Sequence, residues 1–325
     1  MNPFRYRTAA DPDAAIGAAL GGATFIAGGT DLIQLMQEGI AAPDLLMDIN
    51  GIGYSGVASD LDGIRIGALT RLAEVADDPT VRARFPLVRE AIESTASGQV
   101  RNMATVGGNL LQKTRCLYFR DRAAPCNKRA PGTGCSAFEG QNRINAVLGA
   151  SAHCIATHPS DLAVALVAAD AEVILRGPAG ERTVLLESFY RLPEDRPDIE
   201  TVLEPGELIV GVWLPIAAAA RRSRYVKVRD RASFEWALAS CAAAIATDGG
   251  EVLEARLAVG GVATKPWRLA RSEAALVGRP FGPGAIREAA ALAAEGAEPR
   301  GRNAYKVPLL VATVERTLME LRGAG

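Results

Sequence analysis

The sequence predicts a two-domain protein that mixes helices and strands without the regular strand–helix–strand succession of a Rossmann fold. Three observations carry this reading. The 325 residues would fill two average domains, and 49% hydrophobic residues are enough for a substantial core. The glycine turn that opens a helix, Gly28-Gly29-Thr30-Asp31, lacks the third glycine of the dinucleotide fingerprint, and no strand–helix–strand repeat follows it. Beyond about residue 220 a new run of alternating and small apolar residues begins, which indicates a second sheet.

In chain order, residues 12–20 form an Ala-rich helix and Ala23 to Ala27 a short buried strand. Gly28 to Asp31 then leads into the apolar spacing of Leu32 to Met36, with Thr30 or Asp31 suited to start a helix. Leu45 to Ile49 and Gly63 to Ala68 have the composition of strands, and Val81 to Ser94 turns helical again. From Asn109 to Cys154 no period is visible. A loop of that length in a compact domain needs something else to order it. Asp161 to Leu166 reads as a buried helix and Ala171 to Leu175 as a strand, and the proline-rich, acidic stretch from Leu192 to Pro205 as surface loop. A strand from Glu207 to Leu214, another at Arg224 to Val228, small apolar residues from Trp236 to Ala246 and a closing helix from Val307 to Leu321 complete the chain.

Composition excludes several functions. Lysine and arginine total 36 against 37 acidic residues, a net charge of −1 that gives no polyanion-binding surface, so nucleic acid is not an expected partner. No apolar run reaches the roughly 18 residues of a membrane span, and Met1 to Arg7 lacks a secretory core, so on its own sequence the chain belongs in the cytoplasm, with no membrane insertion. Five cysteines in so long a chain do not make a secreted disulfide framework, and reduced thiols are expected.

Four of those thiols carry the strongest signal. Cys116, Cys126, Cys135 and Cys154 follow the pattern C-x9-C-x8-C-x18-C, with no CxxC pair and therefore no zinc-ribbon signature. Four thiolates complete the ligand set of an iron–sulfur cubane, and they also suit zinc. Cys241, alone in an apolar run, reads as a small buried residue. Lys113, Arg115, Arg120, Arg122, Lys128 and Arg129 surround the first two cysteines; such cations would raise a cluster's potential, or would form a basic docking face for a partner subunit. Two glycine-bearing segments precede the window. Gly28 to Asp31 offers backbone N–H groups without Cβ obstruction, suited to a pyrophosphate, although alone it is more often a plain tight turn. Arg101 to Asn109 again pairs glycines with a hydroxyl and an amide, and the two could clamp one extended ligand. Asp161, in His158-Pro159-Ser160-Asp161, could bind a ribose hydroxyl or belong to an ordinary helix cap.

Taken together, Ala27 to Leu32, Ile66 to Thr70, Gly98 to Asn102, Ala104 to Asn109, Pro159 to Asp161, Pro205 to Ile209, Tyr225 to Arg231 and Leu257 to Ala263 resemble, in order and over nearly the whole chain, the FAD-binding medium subunit of the molybdenum hydroxylases, the xanthine dehydrogenase and carbon monoxide dehydrogenase family. Most such subunits join the Gly-Gly-Asn segment to the Ser-Asp pair by a short link. Here Asn109 and Asp161 are 52 positions apart, and the excess resembles the insertion of the subgroup with an extra [4Fe–4S] cluster, above all the flavin subunit of bacterial periplasmic aldehyde oxidoreductase. 4-Hydroxybenzoyl-CoA reductase is a weaker match.

The resemblance implies an α+β fold: a vanillyl-alcohol-oxidase-type FAD-binding domain over 1–220, with subdomains of about 1–55 and 56–220 and a [4Fe–4S] insertion at about 110–157, then a CO-dehydrogenase-flavoprotein-like domain with a three-stranded sheet over 221–325. It implies that Ala27, Gly28, Gly29, Thr30 and Asp31, flanked by Ile26 and Leu32, bind the FAD pyrophosphate with Thr105, Gly108 and Asn109. Asp161 would bind ribose, Ile209 and Lys227 would approach the isoalloxazine, and Cys116, Cys126, Cys135 and Cys154 would hold the cluster. No residue need be an acid or base. The expected assembly is a heterotrimer with a large molybdopterin-binding subunit and a small subunit with two [2Fe–2S] clusters. It would oxidise an aldehyde and pass electrons through FAD to an external acceptor. Export on a partner's signal would put the assembly in the periplasm. The same fold also hosts stand-alone flavin reductases of the UDP-N-acetylenolpyruvoylglucosamine type, which explain neither the cysteines nor the C-terminal segment. A zinc-stapled binding protein is the reading without redox chemistry.

Overall fold

The computed structural model of the protein describes residues 1–323 and builds an α+β fold around three sheets. The first is small and parallel: β1 (Arg5–Thr8), β2 (Thr24–Ile26) and β3 (Leu45–Asp48), in the order β1-β3-β2. The Pro12–Leu20 helix links β1 to β2, capped by Asp11, whose carboxylate accepts from the Ala14 N–H at 2.7 Å. The Leu32–Gln37 helix links β2 to β3 and starts at the Gly28–Asp31 turn.

The second sheet is antiparallel: β4 (Val57–Ser59), β5 (Gly63–Gly67), β6 (Glu172–Gly177), β7 (Gly180–Leu185) and β8 (Leu208–Pro215), in the order β4-β5-β8-β6-β7. Ile174 pairs with Gly211 and Leu175 with Ile209, so Val210 is an extra residue on β8. Such a bulge twists a strand and redirects its neighbours. The expected helix from Val81 to Ser94 is two helices, Pro79–Arg84 and Pro86–Glu93, because Pro86 has no N–H to continue the first and instead begins the second.

The third sheet comprises β9 (Ser223–Val228), β10 (Ala239–Asp248), β11 (Glu251–Gly260) and β12 (Trp267–Arg268), in the order β12-β11-β10-β9. It has four strands where the resemblance implied three; the addition is the two-residue edge strand β12. Gly249 and Gly250, with φ of 56° and 88°, make the tight β10–β11 turn that requires left-handed backbone at both positions. One face of this hairpin, with Ala242 and Ala258, joins the core that includes Tyr225 and the Asp161–Ala168 helix, while Cys241, Ala243, Ile245, Leu257 and Val259 join a second core with the Lys306–Gly323 helix. Covered on both sides, the strands keep side chains small, which accounts for their alanine content. Cys241 is fully buried there, the role its sequence context predicts. Among the described residues no helix is long and apolar enough to cross a membrane.

The insertion leaves the helices of the second subdomain after Val106–Leu110, contributes one turn of helix at Leu117–Arg120, and is otherwise irregular until Asp161. It nonetheless has its own core, in which Cys116, Cys126 and Cys154 pack with Phe119, Ala137, Ile155 and Ala156. Leu35, from the helix that begins at the glycine turn, is part of that core.

Candidate flavin cleft and cysteine cavity

The two glycine-bearing segments meet. A Cβ added at Gly28 would lie 1.9 Å from the carbonyl oxygen of Met103, so the turn can sit against the 103–104 backbone only because residue 28 has no side chain. Gly29 turns the chain with φ of 69°. Arg71 ties the pair together, donating to the Met103 carbonyl and to Asn50 Oδ1, while Asn50 donates to the Ala27 carbonyl at 3.1 Å. Across the junction, Thr105 Oγ1 caps the Val106–Leu110 helix by accepting from the Gly108 N–H at 3.2 Å.

Between these segments and β8 runs a cleft of about 430 Å³, within the range of small-molecule and cofactor sites. Ile26, Ala27, Gly28, Gly29, Thr30, Asp31, Leu32, Thr105, Gly108, Asn109, Asp161, Ile209 and Lys227 all line it. Strands of all three sheets and three helix starts therefore converge on one place. Its walls are mostly apolar, with backbone N–H groups of the 27–31 turn at one end, an arrangement suited to a ligand with a flat ring system and an anionic tail.

Several of these side chains are already engaged. The Asp31 carboxylate accepts from the Lys113 N–H at 2.7 Å, from Arg115 at 2.8 Å and from Arg120 at 2.9 Å, so it anchors the start of the insertion and leaves the turn's backbone to the ligand. Asn109 Oδ1 accepts from Ser160 Oγ at 2.6 Å, and Ser160 in turn caps the Asp161–Ala168 helix. Asp161 is buried, and accepts from Tyr225 Oη at 2.5 Å, Lys227 Nζ at 2.7 Å and Thr95 Oγ1 at 3.2 Å. The carboxylate assigned to ribose thus holds the lysine assigned to the ring. Burial, with Asp161 alongside, pushes the Tyr225 hydroxyl well above its usual pKa, so it donates and does not ionise. At the mouth, the Arg115 guanidinium lies 4.7 Å from the centre of the Trp236 ring, beside Phe234, which holds φ of 54°. Burial, opposed by Asp31, lowers the Arg115 pKa.

The four window cysteines line one small cavity with Tyr118, Phe119, Asn127, Lys128 and His153. All are free thiols, and Cys126 and Cys135 face each other across an antiparallel bridge. Asn127 joins the loops, accepting from the Gly134 N–H at 2.8 Å and donating to the His153 carbonyl at 3.1 Å. Donors point at sulfur: Asn145 Nδ2 lies 3.5 Å from Cys116 Sγ and the Ala156 N–H 3.4 Å from Cys154 Sγ. Among the described residues no group of three or more His, Cys, Asp and Glu is gathered closely enough to hold a metal ion. Burial pushes the Cys154 thiol up to about 12 and raises Cys135, so thiolate here requires a bound cation.

Sequence reasoning did not single out Thr95, Phe234, Trp236, Glu200 or Tyr225 as part of these sites. Glu200 lies in the stretch read as surface loop, yet its carboxylate accepts from Lys128 Nζ at 2.8 Å and from Lys113. Burial opposes its charge, but Lys128 and Lys113 outweigh burial and hold its pKa at about 2.

Comparison with known proteins agrees in both halves. The FAD binding domain in molybdopterin dehydrogenase matches residues 3–217, and the CO dehydrogenase flavoprotein C-terminal domain residues 224–321. The aldehyde oxidoreductase FAD-binding subunit PaoB of Escherichia coli is 46% identical over 99% of both chains. The glyceraldehyde dehydrogenase medium chain of Sulfolobus acidocaldarius is 28% identical over 86% of this chain and 84% of its own. A solved structure of carbon monoxide dehydrogenase from Hydrogenophaga pseudoflava superposes with a TM-score of 0.77, at 28% identity, over 99% of each chain. With the cleft and the fold agreeing with matches over nearly all of its length, the chain belongs to the FAD-binding medium subunits of the molybdenum hydroxylase family, and is a subunit of an oxidoreductase complex.

Proposed function

We propose that this chain carries both FAD and a [4Fe–4S] cluster in a heterotrimeric molybdenum-dependent aldehyde oxidoreductase, receiving electrons that originate at a large molybdopterin-binding subunit and pass through a small [2Fe–2S] subunit, and delivering them to an external acceptor. The observation that carries the reading is the adjacency of two sites: a cleft built from both glycine segments and a cavity lined by all four inserted cysteines. The similarity to PaoB supports the aldehyde as substrate class.

FAD, when bound, supplies one- and two-electron chemistry, and the polypeptide supplies position and electrostatics. The backbone N–H groups of residues 27–31 would receive the pyrophosphate, with Thr105, Gly108 and Asn109 closing over it. Ile209, turned by the Val210 bulge, offers an apolar contact, and Lys227, held by Asp161, offers a fixed positive charge. At the second site the residues present fit an iron–sulfur group: four thiols, two N–H···S donors and the Lys128 ammonium all serve a ligand set that gains negative charge on reduction.

Anaerobic purification with the partner subunits tests the reading. Flavin absorption, and iron with equal acid-labile sulfide in this chain, are expected; replacement of Cys135 by Ser should remove most of that iron while flavin remains. A preparation free of iron, or one in which zinc takes its place, overturns the cluster assignment.

A further inference from the structure

A single carboxylate, Glu200, bridges one lysine of the cleft and one lysine of the cysteine cavity. Lys113 lines the cleft and Lys128 lines the cavity, and each donates to a different oxygen of Glu200. Lys128 Nζ also donates to the Pro197 carbonyl at 3.0 Å. Glu200 is itself fixed: its carbonyl accepts from the Arg191 N–H at 2.9 Å, and the next residue, Thr201, bridges to Tyr190. The side chains of Glu200 and Lys128 are 23% and 11% exposed, so water screens their interaction only weakly. Of the other titratable neighbours, His158 is buried and carries no charge there, the Tyr190 hydroxyl is held by burial well above its usual pKa, and Asp198 is a second carboxylate near Lys128, engaged mainly with Arg196.

We infer that Glu200 is a positioning residue that holds Lys128 against the cysteine cavity and shares its charge with Lys113 of the cleft, so that the reduction equilibrium of the cysteine-bound cluster depends on the cleft-side lysine. The inference rests on the cluster assignment above. An ammonium near thiolate-ligated iron favours the reduced, more negative state. A carboxylate at 2.8 Å cancels part of that effect, and the second lysine relieves part of the cancellation. Two cations and one anion form a chain in which each partner's strength at one end is set by its occupancy at the other.

The test is an anaerobic redox titration of the assembled complex, following the paramagnetic signal of the reduced cluster together with iron and sulfide content. Glu200→Gln should favour cluster reduction by at least tenfold, about 59 mV for a one-electron couple. Glu200→Asp should return to within about threefold of the native value, and Lys128→Gln should move about tenfold the other way. Lys113→Gln should disfavour reduction in the native background and lose most of that effect in the Glu200→Gln background, the signature of coupling through the shared carboxylate. Unchanged potentials in iron-replete Glu200→Gln and Lys128→Gln proteins overturn the inference, as does a Lys113→Gln shift equal in both backgrounds. Should Glu200→Gln fail to assemble, the opposite shift in Lys128→Gln and any shift in Lys113→Gln decide the matter. Native complex without iron and sulfide sinks the cluster assignment first, and with it this inference.

Discussion

At residue 28 the absence of one carbon decides whether two loops can touch. Gly28→Ala would place a methyl group 1.9 Å from the Met103 carbonyl oxygen, and neither partner is a side chain that can swing away. The expected results are at least tenfold weaker flavin retention, read as the flavin-to-protein ratio after gel filtration, and a stability loss of about 1–3 kcal/mol. Asp161 is a second such point. Asp161→Asn removes the counter-charge of the buried Lys227 and should cost about 3–5 kcal/mol in denaturant unfolding, more than Asp161 and Lys227 replaced together by Asn and Met. His158 shows the pH side of burial. It packs edge-on to Tyr190 at 4.5 Å, and burial pushes its pKa down to about 3 from 6.5. The unfolded chain therefore takes up a proton below pH 6.5 that the folded chain refuses until about pH 3, and stability falls across that interval as pH drops. Between pH 7 and pH 5 the loss from this group should be about 2 kcal/mol, and unfolding midpoints of the native protein and His158→Gln at the two pH values would expose it as a smaller drop in the variant.

Elements differ in how far their residues announce them. The turn at 28–31 and the helix starts at Leu32 and Asp161 are legible because caps and glycines act within a few residues. The break at Pro86 was equally local, and the periodic stretch from Val81 to Ser94 concealed it because both helices bury the same kind of side chain, including Val81, Leu87, Val88, Ala91 and Ile92. β12 escapes any pattern, since two residues contain no period. The closing Lys306–Gly323 helix was visible from its spacing, and its fully buried Val314 and Leu318 face the third sheet's core. Leu318→Ala should cost about 2–5 kcal/mol, observable as a lower melting temperature, with flavin content unchanged in whatever remains folded.

For the molecule as a whole, the candidate cleft was largely readable because each of its linings is a local motif, whereas the joints between sites were not. Glu200 meets Lys128 and Lys113 across 72 and 87 residues, Tyr225 meets Asp161 across 64, and no short pattern encodes such encounters. Proline and acid around Glu200 describe a surface loop correctly in its path and misdescribe its one inward carboxylate. These joints explain how an irregular insertion keeps a single conformation: it is gripped at Asp31, at Glu200 and by Lys306, which donates to the Ile144 carbonyl within it and to the Gly261 carbonyl beyond it.

The grip at Asp31 bears on any attempt to re-engineer the chain. Pruning the excursion to a brief connector would strip all three donors from a carboxylate standing at the end of the Gly28–Asp31 turn. A shortened version would therefore need residue 31 redesigned in the same stroke, as the turn and the excursion were tailored to each other.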